Sequence, residues 1–348
     1  VGNVETESFA TFFNSNYRFN EAFTLDLGFR FSSEEKNVDW TVSSIDPATG
    51  IPVIPIFNLA NGQVIDKRRD NDFSPLVSLN YRLNEQVNTY LKYATGYKSG
   101  GYNVDFLTQA QLDAGIEFDK ETVTSYEIGL KGHLLDQRIT FSSALFYSSY
   151  DDYQINQLIN LDAGTTALSI RNAAQVETRG LEFDLTYRLT PDFQLNIALG
   201  LLDAEFTKFP AGGSNGEDLS GEKLPGVSDY TFNISAQYYY PLPALNAELS
   251  ATLSYNYQDD YNTDLDGLSQ ITLANGELLA IGQVNGFGVM NASVGLEPLD
   301  NGISVFLWVR NLTNEDNAII LGEKSFFGTR RNVYLNPRTF GLSAKYSF

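Results

Sequence analysis

The sequence predicts an all-β fold, an antiparallel transmembrane β-barrel of about thirteen strands, on three observations. Side chains alternate apolar and polar along segments of a dozen residues or more. The connections between those segments alternate strictly between short and long. No apolar run approaches the roughly 20 residues that a membrane helix needs. A tilted strand crosses a bilayer in about 9–11 residues, whereas strands of soluble proteins run to about 5–6.

The strands fall at 4–18, 22–40, 73–84, 87–98, 120–134, 137–151, 166–189, 192–206, 227–241, 245–259, 285–298, 302–314 and 332–348. The first two form a hairpin over the turn Phe19-Asn20-Glu21. In the second, Phe23, Leu25, Leu27, Phe29 and Phe31 alternate with Thr24, Asp26, Gly28, Arg30 and Ser32. Strands three and four turn at Asn84-Glu85-Gln86, and five and six at Leu135-Asp136. Seven and eight turn at Thr190-Pro191-Asp192, after which Phe193, Leu195, Ile197, Leu199 and Leu201 alternate with polar or small residues. Nine and ten turn at Pro241-Leu242-Pro243. In the tenth strand Leu249 is assigned to lipid and Ser250 to the lumen, both near mid-membrane. Eleven and twelve turn at Leu299-Asp300-Asn301, and the thirteenth strand ends the chain. The long connections cover 41–72, 99–119, 152–165, 207–226, 260–284 and 315–331. In outer-membrane barrels the short turns are periplasmic and the long loops extracellular.

No linker or helical stretch interrupts this pattern, so residues 1–348 read as one barrel domain. Thirteen is odd, whereas bacterial single-chain barrels have an even number of strands. An open sheet leaves two edges that lipid does not tolerate. Strands are therefore expected to be missing on the N-terminal side. Val1 to Glu5 has neither the basic start nor the apolar core of a signal peptide, so the beginning reads as mature or truncated.

Composition agrees and excludes. Acidic residues number 43 against 23 basic, a net charge of −20, which argues against a nucleic-acid partner. There is no cysteine, so disulfides and thiolate metal sites are excluded. Mean hydropathy is −0.21, a value that a barrel shares with soluble proteins because only alternate residues meet lipid. The one histidine, His133, lies beside the periplasmic turn at Leu135-Asp136, which disfavours a barrel enzyme and excludes histidine-cluster metal sites. No cofactor is expected. Asn233, Asn291 and Asn311 open glycosylation-like triplets inside predicted strands and read as chance.

The last strand places Phe340, Leu342, Tyr346 and Phe348 on one face and ends in an aromatic. That ending resembles the signal by which the bacterial barrel-assembly machinery recognises its clients, and the alternative is an ordinary edge strand.

Five phrases, in order, carry a wider resemblance. They are Gly96-Tyr97-Lys98-Ser99-Gly100-Gly101-Tyr102-Asn103, Arg179-Gly180-Leu181-Glu182 followed by Leu202-Asp203-Ala204-Glu205-Phe206, Gly221-Glu222-Lys223-Leu224-Pro225-Gly226, Val309-Arg310-Asn311-Leu312-Thr313-Asn314, and Asn336-Pro337-Arg338-Thr339-Phe340-Gly341. Ser228 stands where the third phrase commonly has proline. Together they resemble the TonB-dependent receptor family, particularly its iron-complex branch. The resemblance implies a barrel of about 22 strands in the cell outer membrane of a Gram-negative bacterium, of which this chain is the C-terminal part. It further implies a plug domain and a TonB box in the N-terminal region, through which the TonB complex is the partner. Lipid, lipopolysaccharide and an iron-complex ligand complete the implied partners. The implied activity is TonB-energised uptake of a scarce nutrient, foremost a ferric siderophore, with vitamin B12, haem, glycans and other metal complexes open. The alternative is a passive porin or structural barrel.

Candidate ligand contacts are Tyr97, Lys98 and Tyr102; the competing reading is a turn needing glycine dihedrals, with Tyr97 in the interfacial aromatic girdle. Phe326, Phe327, Arg330 and Arg331 in the last outer loop suit an anionic aromatic ligand such as a ferric catecholate. The competing reading pairs Arg330 and Arg331 with lipopolysaccharide phosphates or acidic loops and places Phe326 and Phe327 in the aromatic girdle. Asn262, Asp264 and Asp266 match the first half of a calcium loop, but Leu273 stands where its closing glutamate belongs, and a solvated acidic loop is the competing reading.

Overall fold

The computed structural model describes residues 2–43, 60–104, 109–160, 166–213, 216–263, 265, 270–272, 278–280, 282–324 and 330–348. Thirteen of its strands form one sheet: β1 (Gly2–Arg18), β2 (Phe23–Val42), β3 (Gly62–Arg82), β4 (Val87–Lys98), β5 (Glu121–Leu134), β6 (Ile139–Asn160), β7 (Thr166–Thr190), β8 (Phe193–Lys208), β9 (Tyr230–Leu242), β10 (Ala247–Gln258), β11 (Phe287–Pro298), β12 (Gly302–Arg310) and β13 (Thr339–Ser347). Each pairs antiparallel with its neighbour in sequence, so the sheet is an uninterrupted meander. Among the described residues β1 pairs only with β2, and β13 only with β12. Among the described residues no helix is long and apolar enough to cross a membrane.

The six short turns stand at one end of the sheet. Two use the same device: Asn20 Oδ1 accepts the amides of Ala22 and Phe23 at 2.8 and 2.9 Å, and Asn84 Oδ1 those of Gln86 and Val87 at 2.8 and 2.9 Å. An asparagine side chain mimics a backbone turn in this way, which suits a tight reversal.

Register carries one apolar face across the wall. Tyr17 lies opposite Leu25, Leu25 opposite Leu79, and Leu79 opposite Leu91. The row continues through Ile128, Leu145, Leu181 and Leu201. On the far half, Leu249 meets Leu296, Val294 meets Leu307, and Leu307 meets Leu342. Leu91, Ile128 and Leu145 are 56 %, 52 % and 53 % exposed, an outer surface that water would penalise and lipid accepts. Phe29 stacks on Phe13 at 5.3 Å and approaches Phe73 at 5.8 Å on this face. The opposite positions, such as Asp26, Asn80, Asn196 and Ser254, are polar and face the lumen.

Several strands outrun the sequence expectation. β3 starts at Gly62 rather than 73, and β6 reaches Asn160 rather than 151. The reason is an inversion of faces. On β2 and β3 the outward positions are apolar up to Phe31 and Phe73, then become Glu35, Lys67 and Arg69. Beyond that level the inward Val38 and Trp40 are only 2 % and 8 % exposed. The same switch occurs on β7 and β8, where outward Leu181 and Leu201 give way to Arg179 and Asp203, and inward Val176 and Phe206 are buried. Above the lipid the outer face meets water, so the apolar residues must turn inward and be covered by loops.

Two loops do this. Val38 and Trp40 pack with Tyr102 and Ile116 of 99–119, which also holds a short α-helix, α1 (Gln109–Ala114). Ile155, Ala174, Val176 and Phe206 pack with Phe209 and Leu219 of 207–226. Burying each such large side chain contributes about 1.5–3 kcal/mol.

The last strand is shorter than expected. β13 begins at Thr339, not 332, and 330–334 pairs instead with 318–324 in a separate hairpin. β12 ends at Arg310 because Asn311, at φ 51°, turns the chain. The Asn311 side chain is buried, donating to the carbonyls of Glu315 and Asn336 at 2.7 and 2.9 Å. It belongs to a turn and not to a strand.

Candidate ligand-recognition site

The loop-forming ends of the strands build a vestibule at the outer mouth of the wall. At its centre is the segment following β4, and its geometry starts from alternation on β3. Arg68 and Asp70 are two residues apart, so both point inward. The Arg68 guanidinium, 9 % exposed, grips Asp70 through Nε at 3.1 Å and Nη2 at 2.8 Å. Its Nη1 donates to the Phe118 carbonyl at 2.7 Å. The Asp70 carboxylate in turn accepts the Gly100 amide at 3.0 Å. Burial alone would raise the Asp70 pKa, but the Arg68 guanidinium outweighs it and holds the carboxyl below its usual range.

Beside this clamp, Lys36 Nζ donates to Ser99 Oγ and the Gly100 carbonyl, both at 2.6 Å, and pairs with Glu34 at 2.7 Å. Lys36 and the Ser99 hydroxyl hold Glu34 low. On the outer face Lys67 and Arg69 both pair with Glu35, whose pKa falls to about 2. Glu117 behaves oppositely: burial and the neighbouring Asp66 carboxyl push it up. A Cβ at Gly100 would overlap the Arg68 guanidinium and the Phe118 carbonyl, so glycine is required there by close approach.

The loop also ties the two halves of the vestibule. Gln154 Nε2 on β6 donates to the carbonyls of Ser99 and Asp119, each at 2.9 Å. Asn172 on β7 accepts the Asp119 amide at 2.6 Å and donates to the Asp119 carbonyl at 2.7 Å. Asn103 bonds the Ile170 amide and carbonyl at 2.8 and 3.0 Å. The segment 99–119 is thus a strap between the β2–β3 and β6–β7 extensions. A groove of about 320 Å³ runs along it, bordered by Asn103, Glu117, Asp119 and Arg171.

Among the sequence-expected contacts, Lys98 is exposed and lies on the lumen face, opposite Glu121. Tyr97 faces outward, with Lys120 Nζ 5.9 Å from its ring, in the place a girdle aromatic occupies. Tyr102 is 8 % exposed within the Val38–Trp40 cluster and anchors the strap from its own side; among the described residues its hydroxyl meets no hydrogen-bond partner. Phe326 and Phe327 lie outside the described residues. Arg330 and Arg331 pair through their backbones with Lys324 and Glu323, and their side chains lie outside the described part. Asn262 pairs with Gln283 in a two-residue strand, while Asp264 and Asp266 lie outside the described residues. Among the described residues no cluster of three or more His, Asp and Glu is arranged to hold a metal. Phe340, Leu342 and Tyr346 face lipid on β13, 80 %, 66 % and 65 % exposed.

Sequence reasoning missed Lys36, Arg68, Asp70, Gln154 and Asn172. The i, i+2 pairing of Arg68 with Asp70 on one face was the available signal.

Residues 1–312 match the family described as TonB dependent receptor-like, beta-barrel. The pesticin receptor of Yersinia enterocolitica is 26 % identical over 232 residues, covering 66 % of this chain and 30 % of that protein. The catecholate siderophore receptor Fiu of Escherichia coli is 22 % identical over 359 residues, covering 99 % of this chain and 42 % of that protein. The crystal structure of the ferric yersiniabactin uptake receptor FyuA from Yersinia pestis superposes with a TM-score of 0.75 at 19 % identity, over 100 % of this chain and 46 % of that one. The chain thus spans less than half the length of these relatives.

Proposed function

The chain belongs to the TonB-dependent receptor β-barrel family, and from that premise we propose that it serves TonB-energised uptake of a scarce nutrient across the outer membrane, foremost a ferric siderophore or other iron complex. One observation supports this reading above the others. The wall is lipid-faced outside, polar inside, and crowned by a braced vestibule whose strap ties two strand extensions together. An outer-membrane carrier has no nucleotide to spend, so its barrel serves as a rigid polar-lined wall and its loops do the recognising. The relatives named as siderophore receptors lend the cargo class.

On this reading the 13-stranded sheet is the C-terminal part of a larger barrel, its free β1 and β13 edges pairing with further strands and a plug seated against the lumen face. TonB acts through the region N-terminal to this wall. Lys98, Arg330 and Arg331 contact the ligand, with Phe326 and Phe327 stacking on it, and Tyr97 and Tyr102 hold the Lys98 loop in place. The terminal β13 row serves the barrel-assembly machinery, and the outward charges above the lipid face lipopolysaccharide.

The test is growth of a strain lacking the full-length receptor on a panel of iron sources, with radiolabelled uptake for any source that fails. Loss of one ferric complex, restored by the receptor only when TonB is present, is the expected result. Uptake that persists without TonB would instead indicate a passive porin.

A further inference from the structure

Among the described residues one buried side-chain polar atom has no hydrogen-bond partner, the hydroxyl of Tyr102. Burying a hydroxyl unpaired is costly, and an orphan of this kind marks a place for an ion or a water. Tyr102 belongs to a two-residue hairpin within the strap and stands directly opposite Glu117. It packs in the cluster of Val38 and Trp40 on β2. Val38 lies opposite Asp66 on β3, and Asp66 points inward with Arg68, two residues on. Asp66, Tyr102 and Glu117 thus bring oxygens together from two separate elements.

The charge there is unbalanced. Arg68 Nη1 is 3.9 Å from Glu117 and its Nη2 3.7 Å from Asp119. That guanidinium is already matched by Asp70, which it grips at 2.8 Å. Even with Arg171 across the groove, Asp66, Glu117 and Asp119 leave negative charge in surplus. Burial first, and then the Asp66 and Glu117 carboxyls, push the Tyr102 hydroxyl up to about 12, so it stays neutral and keeps its lone pairs. Burial and the Asp66 carboxyl likewise push Glu117 up, as expected of two carboxyls that share a proton when no cation lies between them.

We infer that Asp66 and Glu117, together with the Tyr102 hydroxyl, bind a hard divalent cation that ties the strap to β3. Calcium suits this donor set, because it takes about six to eight oxygens in a loose geometry and accepts water where the protein supplies none. Two carboxylates and a hydroxyl fall short of a group of three acidic ligands, and Arg68 stands close by. The affinity therefore belongs with weak extracellular calcium modules, at about 0.1–1 mM. The site does not depend on which cargo the receptor imports.

The test uses the full-length receptor, stripped of metal by a chelator and titrated with terbium, whose emission Tyr102 and Trp40 sensitise at close range. Calcium should displace that signal with a midpoint of about 0.1–1 mM. Asp66→Asn and Glu117→Gln should each weaken terbium and calcium binding by about tenfold or more, because ligand charge sets the affinity of such sites. Tyr102→Phe keeps the ring and should weaken binding by about threefold or more through the lost hydroxyl. Asp218→Asn, which alters an exposed carboxylate of 207–226, should stay within about twofold. A signal that calcium does not displace, or a loss in Asp218→Asn equal to that in Glu117→Gln, overturns the site. Should Asp66→Asn fail to assemble by heat-modifiable mobility, Glu117→Gln and Tyr102→Phe decide it, and full affinity in either overturns it. Uptake is not read in this assay, so its failure leaves the transport reading standing.

Discussion

At the scale of single residues, the vestibule turns on Arg68. Its partners are Asp70, buried, and the Phe118 carbonyl, so removing the guanidinium leaves a carboxylate uncompensated. Breaking such a buried pair costs about 3–5 kcal/mol, whereas the exposed Arg69 pair outside contributes about 0–1 kcal/mol. Arg68→Met should therefore detach the 99–119 strap, and Arg69→Met should not. Trp40 is the reporter, because it is buried under Tyr102; with Trp308→Phe as background, its emission should shift to the red only in Arg68→Met. The pH dependence follows from the same groups. Asp70 and Glu34 are held low, so their contribution is complete above the unfolded carboxylate value of about 4 and disappears as pH falls through their lowered values. Glu117 is held high, so its contribution is complete below that value and fades as pH rises through the raised one. Arg68, Lys36, Asp66, Asp119 and Lys120 face the same contact and keep it charged. Docking of the strap should strengthen slightly as pH falls from 7 toward about 4, then fail below it. Trp40 emission followed through an acid titration checks this, and a monotonic loss from pH 7 would contradict the assignment of Glu117.

At the scale of strands, the face assignment of β10 holds while its depth shifts. Leu249 faces lipid and Ser250 the lumen as expected, but Leu249 stands two residues from the start of β10 at Ala247, near the periplasmic rim. Leu253 is the residue nearer mid-wall, paired with Ala236 and Ala292. An arginine on the lipid face costs about 2–4 kcal/mol at the midplane and about 0–1 near the interface. Leu253→Arg should thus sharply reduce heat-modifiable barrel, Leu249→Arg should reduce it little, and Ser254→Arg should be tolerated. The hairpin of β12 and β13 depends on Gly341, where any Cβ would overlap the ring of Trp308. Overpacking of this kind costs about 1–3 kcal/mol. Gly341→Ala should lower the unfolding temperature of the barrel, and Trp308→Ala in the same chain should recover most of the loss; a full loss without recovery would rule out the steric cause.

At the scale of the whole molecule, two features control how the wall is used. Its net charge of −20 is not spread over the lipid face, which stays apolar from Tyr17 to Leu342. The charges sit instead on the lumen face and on the strand extensions above the membrane, where solvent screens them. The second feature is the pair of edges at β1 and β13, unpaired among the described residues. Phe348, which follows β13, is 96 % exposed, and Phe340 and Leu342 stand in the lipid-facing row of that strand. If this end is read by the assembly machinery, Phe348→Ala in the full-length protein should cut assembled barrel severalfold without altering the pKa-dependent docking of the strap. Pulse-labelled assembly assays distinguish that from a simple loss of edge packing, which would alter melting rather than the rate of insertion.

The sequence by itself determined the membrane wall: the number of sheet strands, their order, the side of each turn and the face of each residue. It could do so because lipid acts on every strand separately, so the requirement for oil on one side and water on the other is written locally, two residues at a time. Only the tertiary structure decided the vestibule. Its bonds join Lys36 to Gly100 and Arg68 to Phe118, residues 64 and 50 positions apart, and no local period encodes them. The early end assigned to β6 and late start assigned to β3 have the same origin. Above the bilayer the environment exchanges sides, so the stretch 62–72 looks like charged loop until β2 and the strap are seen to cover its inward face. Where the solvent on both sides of a sheet is protein or water, burial is settled by what folds over it, and that is a property of the assembled chain alone.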